Sequence, residues 1–153
     1  MAKNDTLWRA SSLLVASSKQ ALLATADTDG KPHATYMNVL ADSSLEKVVS
    51  ITTPNTQKIK NLGENPYAEW MFASPSLETM VYLSGPTEIV TGQEAFNYWN
   101  SMPGKSKAYY REYCKTDNPE KFSIICTQVE KVLYCRPPGY RKTLVYELES
   151  SGL

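Results

Sequence analysis

Residues 51–66, Ile-Thr-Thr-Pro-Asn-Thr-Gln-Lys-Ile-Lys-Asn-Leu-Gly-Glu-Asn-Pro, read as a β-branched strand end running into a short, well-punctuated helix. The spacing predicts a helix over 54–62. Thr53 suits the N-cap, Pro54 suits the first helical position because no N–H is needed there, and Gly63 followed by Pro66 supplies a stop. With that start the first-turn amides of Asn55 and Thr56 stay free, the helix dipole favours negative charge beside them, and Lys58 lies one turn in. The outline is that of a phosphate site, and it is equally that of a capped surface helix with a solvated lysine.

Outward from this stretch the pattern is mostly strand. Residues 21–26 and 33–41 flank Asp27-Thr28-Asp29-Gly30, whose Asp-Gly pair signals a hairpin. Residues 47–52 form a third, β-branched run beyond the polar turn Asp42-Ser43-Ser44. Residues 67–73 and 79–90 read as the next strands, and the Gly85-Pro86 pair marks a bulge or barrel corner inside the longer one. Residues 93–114 turn helical, split near Met102-Pro103-Gly104, and 122–135 and 143–148 close the chain as strands. An amphipathic helix is expected over 5–18, starting near Asp5 or Thr6 and burying Leu7, Ala10, Leu14 and Trp8 as a lid. Hairpin-linked strands with a few edge helices imply a mainly β (α+β) fold, an antiparallel barrel of six to seven strands with peripheral helices.

The 153 residues suit one domain over 1–153, long enough to bury about 70% of its unfolded surface without staples. Sixteen basic residues balance sixteen acidic ones, which removes the large net field that would draw a chain to nucleic acid or an anionic membrane. Cys114, Cys126 and Cys135 are odd in number and form no C-x-x-C pair, so reduced thiols are expected, with Cys126 a small core hydrophobe. No apolar run reaches the roughly 20 residues of a membrane span, and no signal-peptide pattern is visible, so a soluble cytoplasmic protein is expected.

Candidate chemistry is sparse. His33 is the sole histidine, which disfavours both a hydrolase triad and multi-histidine metal binding, and no H-E-x-x-H, nucleophile elbow, Walker loop or G-x-G-x-x-G is present. No metal site is expected. Thr35-Tyr36-Met37-Asn38-Val39 mixes planar, soft and small polar side chains, which suits contact with a flat heteroaromatic ring as well as an ordinary barrel wall. Trp99 and the 109–113 run, rich in tyrosine, suit packing or a subunit interface.

Taken in order, these segments resemble the flavin-binding split-barrel superfamily related to pyridoxamine 5′-phosphate oxidase, and its general-stress-protein branch in particular. The anchors are Gly30-Lys31-Pro32-His33-Ala34, Lys58 with Asn65-Pro66, Val81-Tyr82-Leu83-Ser84-Gly85, Tyr98-Trp99 and the strand from Ile125 to Tyr134. The likeness runs from about Thr6 to Leu148. It implies a split barrel, a homodimer with FMN at the subunit interface, and a flavin ring or ribityl chain facing Thr35, Tyr36, Met37 and Asn38. It also implies Thr52 and Thr53 beside the ribityl phosphate, Gln57 and Lys58 on the phosphate, and Met80 approaching from the second long strand. FAD or a deazaflavin would be alternative cofactors, and haem is disfavoured by the lone histidine.

Departures from the family pattern sharpen the expectation. Thr35 and Thr56-Gln57 stand where many relatives carry basic residues, Cys135 stands where the branch often has tryptophan, and Tyr140-Arg141-Lys142 lacks an Arg-x-His pattern. Pyridoxamine-phosphate oxidase activity is therefore not expected. The function implied is an FMN-dependent oxidoreductase acting on an unidentified small molecule, with a non-catalytic flavin carrier or sensor as the alternative, and a small-barrel nucleic-acid binder as a third reading opposed by the balanced charge. No catalytic acid or base is nominated, since Tyr36, Tyr82 and Cys135 each have structural explanations.

Overall fold

The computed structural model describes residues 4–115 and 118–149, so the ends of the expected 1–153 domain lie outside the described residues, as do the side chains of Tyr113, Cys114 and Pro119. Helix α1 (Asp5–Ser17) is capped by Asn4, one residue ahead of the expected start, whose Oδ1 accepts the Leu7 N–H at 3.1 Å. Leu7, Trp8, Ala10 and Leu14 pack with buried Val15 against the barrel core, and Trp8 meets Tyr146 edge-on at 5.6 Å.

Strands β1 (Gln20–Ala26) and β2 (Pro32–Asn38) form the expected hairpin. Gly30 takes φ +78°, which the tight turn requires, and the Asp27 carboxylate accepts the N–H groups of Asp29 and Lys31, both at 2.9 Å. His33 Nε2 lies 3.1 Å from the other Asp27 oxygen. The single histidine thus staples the hairpin, and it holds the Asp27 carboxyl below the usual carboxylate range.

The remaining elements are β3 (Lys47–Thr52), α2 (Gln57–Glu64), β4 (Tyr67–Ala73), β5 (Met80–Val90), α3 (Gly92–Ser101), α4 (Gly104–Cys114), a 3₁₀ turn (Pro119–Lys121), β6 (Ser123–Gln128), β7 (Lys131–Cys135) and β8 (Thr143–Glu147). Eight strands replace the six or seven expected because 122–135 is two strands. The chain bends at Val129–Glu130, where the Val129 N–H donates to the Glu46 carbonyl and the Glu130 N–H to the Ser84 carbonyl, each at 2.9 Å.

The strands run in the order β2-β1-β4-β5-β6-β3, all antiparallel, and β7 and β8 branch from β5. One edge of β5 serves β4 along 80–86; the other serves β7 along 80–84 and then β6 along 87–90. Gly85 sits at that fork. A Cβ there would lie 1.8 Å from the Gln128 carbonyl oxygen, so no side chain fits where the chain turns from β6 into β7 across β5. Around the fork, Trp70 Nε1 donates to Thr127 Oγ1 at 2.8 Å, and Thr127 and Thr87 share a hydroxyl bond of 2.8 Å. Every partner in this knot is buried, which meets the requirement that interior polar groups be paired.

Two apolar clusters lie on either side of β3 and β6. Val48 and Ile125 face the barrel interior with Leu23, Trp70, Phe72 and Leu83, whereas Val49, Ile51, Ile124 and Cys126 face outward under α3 and α4. Trp99 stacks on Phe122 at 5.0 Å in that second cluster, so Trp99 and Tyr110 pack, whereas Phe96 and Tyr109 remain exposed.

Replacing Gly85 with alanine is expected to lower stability by on the order of 3 kcal/mol through backbone displacement at the fork. Urea unfolding of Gly85→Ala beside an exposed control, Gly63→Ala, measures it.

Candidate functional site

β2 and β3 end the six-strand path β2-β1-β4-β5-β6-β3, and they do not zip together. A single bridge joins Leu40 to Val49, with N–H···O distances of 2.8 and 3.0 Å, and beyond it only the Ser50 hydroxyl reaches across, donating to the Asn38 carbonyl at 2.6 Å. Alternation along an antiparallel strand then directs the N–H and C=O of Ile51 into the split. The barrel is open along this seam.

At the end of β3 the chain enters α2, three residues later than the sequence spacing predicts. Asn55 adopts φ +67°, a left-handed conformation that a helix cannot contain, so Pro54 and Asn55 form a turn and Thr53 is not the N-cap. Thr56 takes the cap position, and the first helical bond runs from the Lys60 N–H to the Thr56 carbonyl at 3.1 Å. Gly63 lies inside the helix, which ends at Asn65. The free first-turn amides are therefore those of Gln57, Lys58 and Ile59. Lys58 moves into the first turn with them.

Thr56 makes no capping bond, and its Oγ1 is buried without a partner. Lys58 is half-buried and makes no ion pair among the described residues, and burial pulls its pKa below the ordinary lysine value of 10.5. Behind them, Gln57 Nε2 donates to Asn61 Oδ1 at 2.7 Å, and the fully buried Asn61 donates from Nδ2 to Thr25 Oγ1 at 3.1 Å. This chain pins the first turn of α2 to the inner face of β1. The result is a positive, donor-rich turn with no internal anion to neutralise it.

The nine residues expected to touch cofactor fall into three groups. Thr52 ends β3 on the barrel side and is buried, Thr53, Gln57 and Lys58 follow it, and Thr35 and Met37 face the same inner side from β2, where Thr35 pairs with Leu23. Tyr36 and Asn38 occupy the outer face of β2, Tyr36 being 71% exposed. Met80 lies on β5, three strands from β2 and so about 14 Å across the sheet, and this chain alone does not bring it to the split. Thr56 and Asn61 had no motif to announce them.

Against the outer side of the split lies a cavity of about 950 Å³ between the 38–51 segment and the α3–α4 hairpin. Of the nine residues only Asn38 lines it. Tyr98, Met102 and Tyr109 supply part of its helical wall, and Lys19 from the α1–β1 connection, Lys47 of β3 and Lys105 of α4 also line it.

Residues 8–136 match the family described as pyridoxamine 5′-phosphate oxidase. The chain belongs to this family. Among curated relatives, a pyridoxine/pyridoxamine 5′-phosphate oxidase of Acinetobacter baumannii is 37% identical over 86 residues, 56% of this chain and 38% of that protein. The chain thus matches less than two fifths of the length of that relative. Among solved structures, a Clostridium acetobutylicum protein related to general stress protein 26 superposes with TM-score 0.76 at 20% identity, covering 94% of this chain and 96% of that one. A haem-binding protein of Mycobacterium smegmatis gives TM-score 0.71 at 22% identity, over 91% of this chain and 57% of the other. A pyridoxamine 5′-phosphate oxidase-related, FMN-binding protein of Nostoc punctiforme gives 0.64 at 9% identity, over 95% of each. At these identities the structural likenesses establish the split-barrel fold.

Within this member of the pyridoxamine 5′-phosphate oxidase family, the first turn of α2 is positioned by Asn61. Asn61→Ala is expected to cost about 2 kcal/mol by leaving the buried Thr25 hydroxyl without its partner, read as a lower denaturation midpoint.

Proposed function

We propose that this protein binds FMN in the seam between β2 and β3, with the phosphate on the first turn of α2, and serves as a flavin-dependent oxidoreductase for a small molecule. The observation that carries the reading is the half-buried Lys58 ammonium, without an acidic partner among the described residues, in the same helical turn region as the buried, unpartnered Thr56 hydroxyl. A lysine desolvated without a counter-charge is destabilised, and a bound phosphate removes that penalty while accepting the free amides and the Thr56 proton. Lys58 and the amides of Gln57, Lys58 and Ile59 would hold the phosphate. Thr52 and Thr53 would flank the ribityl chain, and Tyr36 and Asn38 would border the ring. FMN supplies hydride or electron transfer when bound; the chain orients it, donates hydrogen bonds and excludes water.

Haem fits less well, because the only histidine is engaged with Asp27 at the tip of the hairpin. Flavin rather than haem is read directly from the absorption spectrum of the purified protein, and reduction of bound flavin by NADH or NADPH separates an oxidoreductase from a carrier.

Lys58→Ala is expected to weaken FMN binding at least tenfold in equilibrium dialysis, and unchanged affinity would sink the phosphate assignment. The pH dependence has a definite sign. Burial lowers the Lys58 pKa in the free protein and phosphate raises it again, so affinity falls as pH rises through the free-protein pKa below 10.5 and is flat, for this group, at lower pH. Lys58→Met removes that alkaline limb.

A homodimer is proposed with it. The strand registers align Tyr36, Leu22, Met71, Tyr82, Leu133 and Leu144 in one row across the outer face of six strands, and all are exposed or half-buried. A two-fold partner on this face would cover the row. Leu133→Glu is expected to convert the dimer to monomer in sedimentation velocity, and a wild-type monomer at micromolar concentration refutes the pairing.

A further inference from the structure

We propose that the cavity between the 38–51 segment and the α3–α4 hairpin binds a flat aromatic monocarboxylate. Its volume of about 950 Å³ lies in the range of small-molecule sites. Tyr109 and Tyr110 meet edge to face at 5.4 Å, and Tyr110 is itself packed 6.1 Å from Phe122, which stacks on Trp99. Tyr98 lies on the same wall with its hydroxyl 3.9 Å from Cys126 Sγ. Val49 and Ile51 of β3 also line the cavity, packed in the same cluster as Tyr110 and Met102. A cavity lined by tyrosines and aliphatic groups suits a planar apolar body.

The charges select one negative group. Lys19, Lys47 and Lys105 line the cavity and none forms an ion pair among the described residues, while Asp42 and Glu46 are the acids present. The Asp42 carboxylate already accepts the N–H and hydroxyl of Ser44, which hold it below the usual carboxylate range. One more cation than acid neutralises a single charge. No arginine lines the cavity, so the fork that grips a phosphate dianion in two places is missing. Lys105 opens α4 beside Ser106, and a carboxylate between them would receive an ammonium and a hydroxyl donor.

The proposal rests on the flavin reading in one respect. Asn38 belongs both to the cavity and to the set bordering the proposed ring, so the molecule held here is the one the flavin would act upon.

The test uses the full chain, with and without FMN, titrated calorimetrically with 2-naphthoate, 2-naphthylmethanol and 2-naphthyl phosphate. The expected result is 2-naphthoate binding at least tenfold tighter than either other probe. Lys105→Ala should bring it within about threefold of the alcohol and leave alcohol binding unchanged; far-UV circular dichroism reports that the variant is folded. Equal binding of all three probes, no binding of any, or naphthoate affinity unchanged in both Lys105→Ala and Lys47→Ala overturns the proposal. Discrimination by a chain that takes up no FMN supports the cavity and refutes the flavin reading, whereas FMN uptake without naphthoate binding does the reverse.

Discussion

The close passage of β5 beneath the β6–β7 bend is the constraint on which the rest depends. Gly85 lets the Gln128 carbonyl occupy the place where a Cβ would stand, and only then does one edge of β5 serve two partners in succession. β6 carries β3 away to close most of the barrel, and β7 carries β8 away as a wing of the same sheet. A residue with a side chain at 85 would push the fork apart, and the hydroxyl bonds that tie Trp70, Thr87 and Thr127 would lose their geometry with it. The fork therefore sets where β3 begins, since Lys47 pairs with Gln128.

That dependence explains what was readable in the sequence. Hairpin and strand signals are local: Asp-Gly in the first turn, β-branched 47–52, and Gly85-Pro86 inside a long strand all mark features that the structure contains. The stretch 122–135 contains no glycine, proline or Asn-Gly turn signal at its polar Gln128-Val129-Glu130-Lys131 centre, because the bend at Val129–Glu130 is stabilised by the carbonyls of Glu46 and Ser84, far away in sequence. The start of α2 went astray for a more local reason. Pro54 after a threonine satisfies every rule for a first helical turn, yet Asn55 tolerates the left-handed conformation better than most residues and delays the helix to Gln57. The shift strengthens the site, because it brings Lys58 among the free amides.

The same α2 turn sets two demands against each other. Asn61, buried and bonded to Gln57 and Thr25, makes the turn rigid, whereas Thr56 and Lys58 are held where their own hydrogen-bonding and charge are unmet. Local inconsistency of this kind beside well-satisfied structure is expected at functional or strained positions, which is why the turn is the candidate site. Gln57 illustrates the division: its amide is spent on Asn61, so in the proposed site an anionic group would fall to Lys58 and the backbone.

The seam between β2 and β3 follows from the same economy of strands. β2 is held only by β1, and β3 only by β6 apart from the bridge at Leu40 and Val49, so the two edges diverge after a single pair of bonds. A fully zipped barrel would pair Ile51 with Asn38 and leave no opening. Here the Ser50 hydroxyl takes the Asn38 carbonyl instead, and α3 and α4 cover the outer face of β3 without sealing the gap beside it. The cavity is built from residues 18–19, 38–51 and 98–110, three stretches with no common pattern, so no motif could have revealed it. Its position on the outer side of the seam, with the α2 turn at the end of β3, places the cavity and the turn that carries Lys58 along one strand, so the two proposed sites would share β3 as their common support.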